Sequence, residues 1–262
     1  MSRSRLFLAV SAALFLLVSA SARGQQQYQS FQPGPPAELL EPGLQGKLDI
    51  PFSTQYIWRG VELNHQSVFQ PAVRMNDAGV ELEAIGNMDL TGSNDNRGKF
   101  TRWIYRAGLA RRSREGEVAF SYIYYDNEDV GYAKTQEIAL EVRWGYPLFA
   151  GTDIYWDFDN GKGFYINSSV GAFIDAGPLR IIPKFGIGFA TKNYQEFYFG
   201  VSEDTFLDVT TSLAAELNVW GPLYLTVRGD YYELAKSGLR HSEERVRQGD
   251  NFWGEGSVSV RF

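Results

Sequence analysis

One nucleophile-like spacing occurs in the chain, His65-Gln66-Ser67. A serine hydroxyl attacks only when a neighbouring base takes its proton, and that base needs an orienting partner, for which Asn76 or Asp77 is a candidate. A polar surface loop accounts for the same residues. Asp157-Phe158-Asp159-Asn160-Gly161 sets two carboxylates two residues apart ahead of a glycine, as calcium loops do. It lacks the distant bidentate Glu, and Asp-Asn and Asn-Gly are ordinary hairpin-turn dipeptides, so a turn is expected there rather than a metal. His241-Ser242-Glu243-Glu244, between Arg240 and Arg245, reads as a solvated charge run. Gly161-Lys162-Gly163 and Gly186-Ile187-Gly188 lead into no helix carrying the Lys and Ser or Thr of a phosphate loop. The absence of Cys and the presence of two His exclude thiolate chemistry, disulfides and multi-histidine metal centres. No catalytic residue, metal or cofactor is expected.

The other chemistry-bearing residues are ionisable and sit in apolar surroundings: Glu81, Glu83, Arg102, Arg106, Glu141, Arg143, Asp157, Lys184 and Arg228. Each has apolar or small neighbours on both sides, the pattern of a strand with one polar and one apolar face. Stepping through the chain, period-two alternation recurs in twelve segments, 48–58, 69–75, 80–90, 101–109, 118–124, 138–146, 152–158, 164–174, 181–189, 207–219, 223–231 and 252–262. The 63 positions on the apolar faces hold no Asp, Glu, Lys or Arg, where a charged content of 21% would place about 13. The opposite faces add Asp49, Glu117, Glu137, Asp153, Asp208, Glu216, Asp230 and Glu255, with Arg74, Arg180 and Arg261. These faces predict the lining of a polar interior. In particular, the register counted from loop 91–99 sets Asn87 opposite Arg102 and Glu83 opposite Arg106, and predicts a Glu83–Arg106 ion pair near mid-height.

Connections alternate as well. Short turns at 76–79, 113–116, 147–151, 175–178 and 221–222 trade places with longer polar loops at 59–67, 91–99, 126–135, 159–163, 191–204 and 233–250. An even strand count with short turns on one rim and long loops on the other predicts an all-β fold: a closed antiparallel transmembrane β-barrel of about 12 strands, with short periplasmic turns and longer extracellular loops. Tyr56, Trp58, Tyr124, Tyr146, Trp220, Tyr231 and Phe262, near strand ends, suit the bilayer interface. A soluble sandwich would also alternate, and Pro51 and Pro183 inside strands lean that way; in a barrel they predict bulges.

Residues 1–22 have the parts of a signal peptide: Arg3 and Arg5, an apolar run from Leu6 to Val18, and Ala20-Ser21-Ala22 as a cleavage site. Residues 23–46, Gln- and Pro-rich, read as a flexible periplasmic leader, and 47–262 as the barrel. With Arg3 and Arg5 taken from the 25 basic residues, 23 remain against 31 acidic, a net charge of −8. Such a chain is a poor partner for nucleic acid. Twelve strands fall between the roughly eight that fill their own interior and the roughly sixteen that leave an aqueous channel, so a narrow pore is expected.

The segments Tyr56-Ile57-Trp58-Arg59-Gly60, Ser67, Gln70-Pro71, Gly86-Asn87, Tyr124-Tyr125-Asp126 and Asp157 to Gly161 resemble the TorF-like porin family of Gram-negative bacteria. The resemblance implies a porin-like protein of the outer membrane, in contact with its lipid. The terminal Phe262 is similar to the aromatic end that the barrel assembly machinery recognises. His65-Gln66-Ser67 resembles the H-x-S element of outer-membrane phospholipase A, although Val68-Phe69 stands where that pattern has Asn-Gly. The expected function is passive diffusion of small hydrophilic solutes with weak cation preference, from twelve interior carboxylates against eight basic residues. A non-conducting structural or adhesive barrel, and a lipid hydrolase using Ser67 and His65, are the alternatives.

Overall fold

A computed structural model describes residues 43–92, 95–113, 115–127, 130–235 and 250–262. The signal segment, most of the leader, and His241-Ser242-Glu243-Glu244 lie outside the described residues. Twelve wall strands close a ring through antiparallel neighbours. In chain order the wall begins with β1 (Gln45–Ser53), then a stave split into β4 (Val68–Phe69) and β5 (Ala72–Asp77), then β6 (Val80–Asp89), β7 (Phe100–Arg112), β8 (Gly116–Asp126) and β9 (Thr135–Trp144). It continues with β10 (Leu148–Asp157), a stave split into β11 (Phe164–Ala172) and β12 (Ile174–Ala176), β13 (Leu179–Ala190), β14 (Thr205–Trp220), β15 (Leu223–Leu234) and β16 (Asp250–Arg261). The seam is β1 on β16, in register from Lys47 opposite Arg261 to Ser53 opposite Glu255. Phe262 completes it, its N–H donating to the Gly46 carbonyl at 2.9 Å.

Closure matters because lipid offers no hydrogen bonds, so a spanning sheet cannot leave an edge. The outer surface is apolar along its middle, with Leu82, Leu109, Phe120, Val142, Val170 and Leu213 exposed. Aromatic rings ring both ends. Trp144, Tyr146, Trp220 and Phe262 are exposed toward the short-turn rim; Tyr105, Trp156, Phe158 and Phe164 are exposed toward the long-loop rim. A closed ring with this belt outside and charges inside is a membrane-spanning barrel.

The structure corrects the alternation at four expected lipid-facing positions. Tyr56, Trp58, Thr101 and Leu207 are all buried inside. The first wall strand stops at Ser53, and the chain turns into the barrel as a separate hairpin, β2 (Tyr56–Trp58) and β3 (Val61–Asn64), paired only with each other. Its tip needs left-handed backbone, with φ of 47° at Arg59 and 85° at Gly60. Thr101 is left over where Asn87 faces Arg102 but Met88 faces Phe100, and Leu207 where Gly188 faces Asp208 but Phe189 faces Phe206. Each is the extra residue of a bulge, and the bulge reverses its face.

The prolines give the opposite correction. The ladders run through Pro51, opposite Ser257, and Pro183, opposite Leu213, without a change of register. Loop 191–204 contains a helix that the sequence pattern did not predict, α1 (Lys192–Phe199). Asp204 Oδ1 accepts the Lys192 N–H at 2.7 Å, capping its start, and Gly200 in left-handed conformation ends it.

Candidate functional site

The hairpin β2–β3 crosses the interior near the long-loop rim. Arg59 at its tip reaches β9, where Nη1 and Nη2 donate to Glu137 Oε1 and Oε2 at 2.7 and 3.0 Å. On the far side, the Tyr232 hydroxyl of β15 packs against Gly60, leaving no room for a side chain there. Tyr125 knits the ion pair together: its hydroxyl donates to Glu137 Oε2 at 2.7 Å and accepts from Arg59 Nη2 at 3.2 Å. Burial, the largest influence on Arg59, works against its charge, and Glu137 together with the surrounding Tyr125, Tyr194 and Tyr155 outweighs it, so the guanidinium pKa is held well above its usual value.

Trp58 stands between two guanidinium groups, with Arg59 4.6 Å and Arg102 4.3 Å from its ring centre. Arg59 also lies 3.7 Å from the Tyr155 ring centre, and Arg102 donates to the Tyr56 hydroxyl at 2.8 Å. Helix α1 completes the plug from the loop side, Tyr198 meeting Trp58 edge-on at 5.0 Å and Tyr194 stacking on Tyr165 at 5.7 Å. Burial, with smaller help from Tyr194, Glu137 and Asp157, pushes the Tyr198 phenol well above its ordinary pKa, so it stays neutral. Each cation–π contact out of water is worth about 2 kcal/mol, which favours the closed arrangement.

Below the plug the interior is a column of ion pairs, into which the structure brings most of the residues singled out from sequence. Arg106 binds Glu141 through both nitrogens, and Tyr155 donates to Glu141 Oε1 at 2.8 Å. Glu83 is paired with Arg74; Glu81 is paired with Arg112, which also lies 3.2 Å from Glu117. Arg228 holds Asp230 at 2.7 Å, and Lys184 lies among the charges of Asp153, Arg143, Arg228 and Asp230. The strand register is as expected, Glu83 opposite Arg106 and Asn87 opposite Arg102. Charge pairing also reaches beyond that register: Glu83 pairs with Arg74, and Arg106 with Glu141.

Asp157 stands apart from the column at the loop rim. Its Oδ2 accepts from Thr135 Oγ1 at 2.7 Å and its Oδ1 from the Asp159 N–H at 3.0 Å, which is the turn geometry. No group of three or more metal-ligating side chains occurs among the described residues. The hydrolase alternative meets a geometric obstacle. Asn76 and Asp77 end β5 at the short-turn rim, whereas the Ser67 carbonyl bonds Leu90 at the long-loop rim. At about 3.3 Å per residue they lie roughly 30 Å apart along the wall, beyond any hydrogen-bonded triad.

Sequence reasoning missed Arg59, Tyr194 and Tyr198, which pack together inside the barrel near the long-loop rim. The signals were present: Arg59-Gly60 is a hairpin tip between alternating Tyr56, Trp58 and Val61, Leu63, and Tyr194 and Tyr198 are spaced as one helix face.

No family model and no curated protein matches the chain in sequence. Solved structures share its fold. The KdgM porin superposes with a TM-score of 0.50 at 9% identity, over 82% of this chain and 98% of that one. Its complex with disordered oligogalacturonate gives 0.51 at 9% identity over the same shares. An outer membrane channel from Pseudomonas putida gives 0.50 at 12% identity, over 89% of this chain and 100% of that one. The chain therefore has the fold of bacterial outer-membrane barrels.

Proposed function

We propose that the protein is a porin-like channel of the bacterial outer membrane, passing small hydrophilic solutes by diffusion with a weak preference for cations. The observation that carries this is the column of charged side chains inside a wall whose outside is apolar. A structural barrel could fill its interior with Leu and Val at lower desolvation cost. On this reading Glu81, Glu83, Arg102, Arg106, Glu141, Arg143, Asp157, Lys184 and Arg228 line the solute path. Phe262 presents the aromatic end to the assembly machinery, and a TorF-like porin identity accords with the segment from Tyr56 to Gly60. The cation surplus is thinner than strand faces alone imply. The structure adds Arg59, Arg112 and Lys47 to the interior basic residues and Asp89 to the acids, each of them buried or ion-paired inside.

One observation favours a second reading. Trp58, Tyr125, Tyr165, Tyr194 and Tyr198 are all at most 1% exposed, so the plug leaves them no contact with a water-filled path. In that reading the barrel is shut at rest. Planar-bilayer recording on refolded protein tests both: steady small conductance supports the channel, and silence that persists when Arg59 is removed overturns it.

A further inference from the structure

Beside the plug, the wall contains a niche whose floor is two glycines. Asn167 of β11, Gly188 of β13 and Asp208 of β14 stand opposite one another at one height; Ser169, Gly186 and Thr210 do so one step along. All six face the interior. A methyl group on Gly186 would lie 2.7 Å from Thr210 Oγ1 and 3.1 Å from Asn167 Oδ1, and one on Gly188 would lie 2.7 Å from Asp208 Oδ1. These oxygens therefore lean over the glycines into space that any side chain would take.

The niche holds one carboxyl group. Asp208 is 0% exposed and its Oδ2 accepts from the Tyr165 hydroxyl at 3.0 Å. Its Oδ1 and the Asn167 Oδ1 are buried and receive no hydrogen bond. Arg59 acts on Asp208 from a distance, but that guanidinium is already held by Glu137. A carboxylate taken out of water without a counter-charge is expensive, and a bound cation removes the cost. The polar atoms nearest the two glycines are oxygens of Asp208, Asn167, Thr210 and the Ser168 carbonyl, a set that selects hard cations over transition metals. A single carboxylate balances a single positive charge.

We propose that Asp208, Asn167 and Thr210, above Gly186 and Gly188, bind a monovalent alkali cation, sodium or potassium, inside the barrel next to the plug. The inference deepens the channel reading and rests on it for its role, placing a cation station beside the buried aromatic cluster. Binding itself is measurable without conduction. The experiment is the sodium NMR linewidth with refolded protein in non-ionic detergent. The wild type broadens the line and potassium reverses the broadening, whereas tetramethylammonium, too large for the niche, does not. Asp208→Asn, which keeps the volume, abolishes the broadening, as does Gly188→Ala, which removes no oxygen and fills the floor. Broadening retained in Asp208→Asn, equal displacement by tetramethylammonium, or displacement by calcium alone overturns the site. Should Gly188→Ala fail to refold, the Asp208→Asn comparison decides. Bilayer recording separates the two claims: sodium binding in a silent barrel sinks the channel and keeps the site, and conduction without broadening sinks the site alone.

Discussion

Toward the short-turn rim, interior charges find partners within the wall: Arg112 with Glu81 and Glu117, Arg74 with Glu83, and, across β15, Arg261 with Glu216. Toward the long-loop rim, Arg59 and Arg102 are brought against aromatic rings by a hairpin that belongs to no wall strand. The first half is held by the wall it decorates. The second is held by side-chain contacts of an inserted segment, and an inserted segment can leave while the wall stays closed. A closed wall and a separately anchored plug assign stability to one region and gating to the other.

Removing the anchor should give the largest effect. Arg59→Ala strands Glu137 as a buried, uncompensated carboxylate, and breaking a buried pair from one side costs about 3–5 kcal/mol. The loss should fall on the plug, so single-barrel conductance rises above wild type while the strand signal in circular dichroism persists. Arg59→Lys, which keeps the charge but loses the fork onto Glu137, should lie between the two. Wild-type conductance in Arg59→Ala would show that the two halves are not independent.

The wall answers to a different substitution. Leu82 and Val142 face lipid, and Arg at either should destabilise the barrel by about 2–4 kcal/mol in denaturant titrations of refolded protein, with little change in conductance per folded channel. Ser121 is 2% exposed on the inner face, and Arg there should cost less if the interior admits water. A reversed order would mean the faces have been exchanged.

That the wall was legible in sequence and the plug was not has one physical cause. Period two states that successive residues face opposite ways, and lipid imposes it on every wall strand, so register could be counted from a loop and Glu83 fell opposite Arg106. Tyr56, Trp58, Val61 and Leu63 alternate in the same way, because a hairpin packed inside also has two faces. Alternation cannot say whether an apolar face meets acyl chains or other rings. Thr101 and Leu207 show the same gap on a smaller scale, since one extra residue in a bulge exchanges the faces without altering composition. Ion pairing is also not confined to the opposite residue. Arginine is long enough to pass its opposite neighbour, so Arg106 on β7 reaches Glu141 on β9.

This reach can be measured. A double-mutant cycle of Arg106 and Glu141 should give a coupling of about 1–3 kcal/mol, the range for contacting groups in one buried network. Tyr155→Phe should weaken the coupling without abolishing it, since its hydroxyl supports Glu141 from the side. Coupling near zero would place Arg106 in water and open the column more than the structure indicates.

The smallest expected effect concerns selectivity, and it bears on both halves at once. In the ion-paired half Glu81, Glu83, Glu141 and Glu216 each share their field with a guanidinium, so little net potential remains there to sort ions. In the plug half Asp208 keeps an unshared oxygen, while Arg59 is neutralised by Glu137. Net preference should therefore be for cations, weak, and centred on Asp208 rather than spread along the wall. Under a KCl gradient the reversal potential should shift toward that of potassium, more at 0.01 M where screening extends to about 30 Å than at 1 M where it falls to about 3 Å. Asp208→Asn should remove most of the shift, and the paired change Glu83→Gln with Arg74→Gln should remove little, because those two charges cancel in the wild type. An anion-selective wild type would reverse the assignment; equal losses in the two variants would return selectivity to the wall and leave the plug with gating alone.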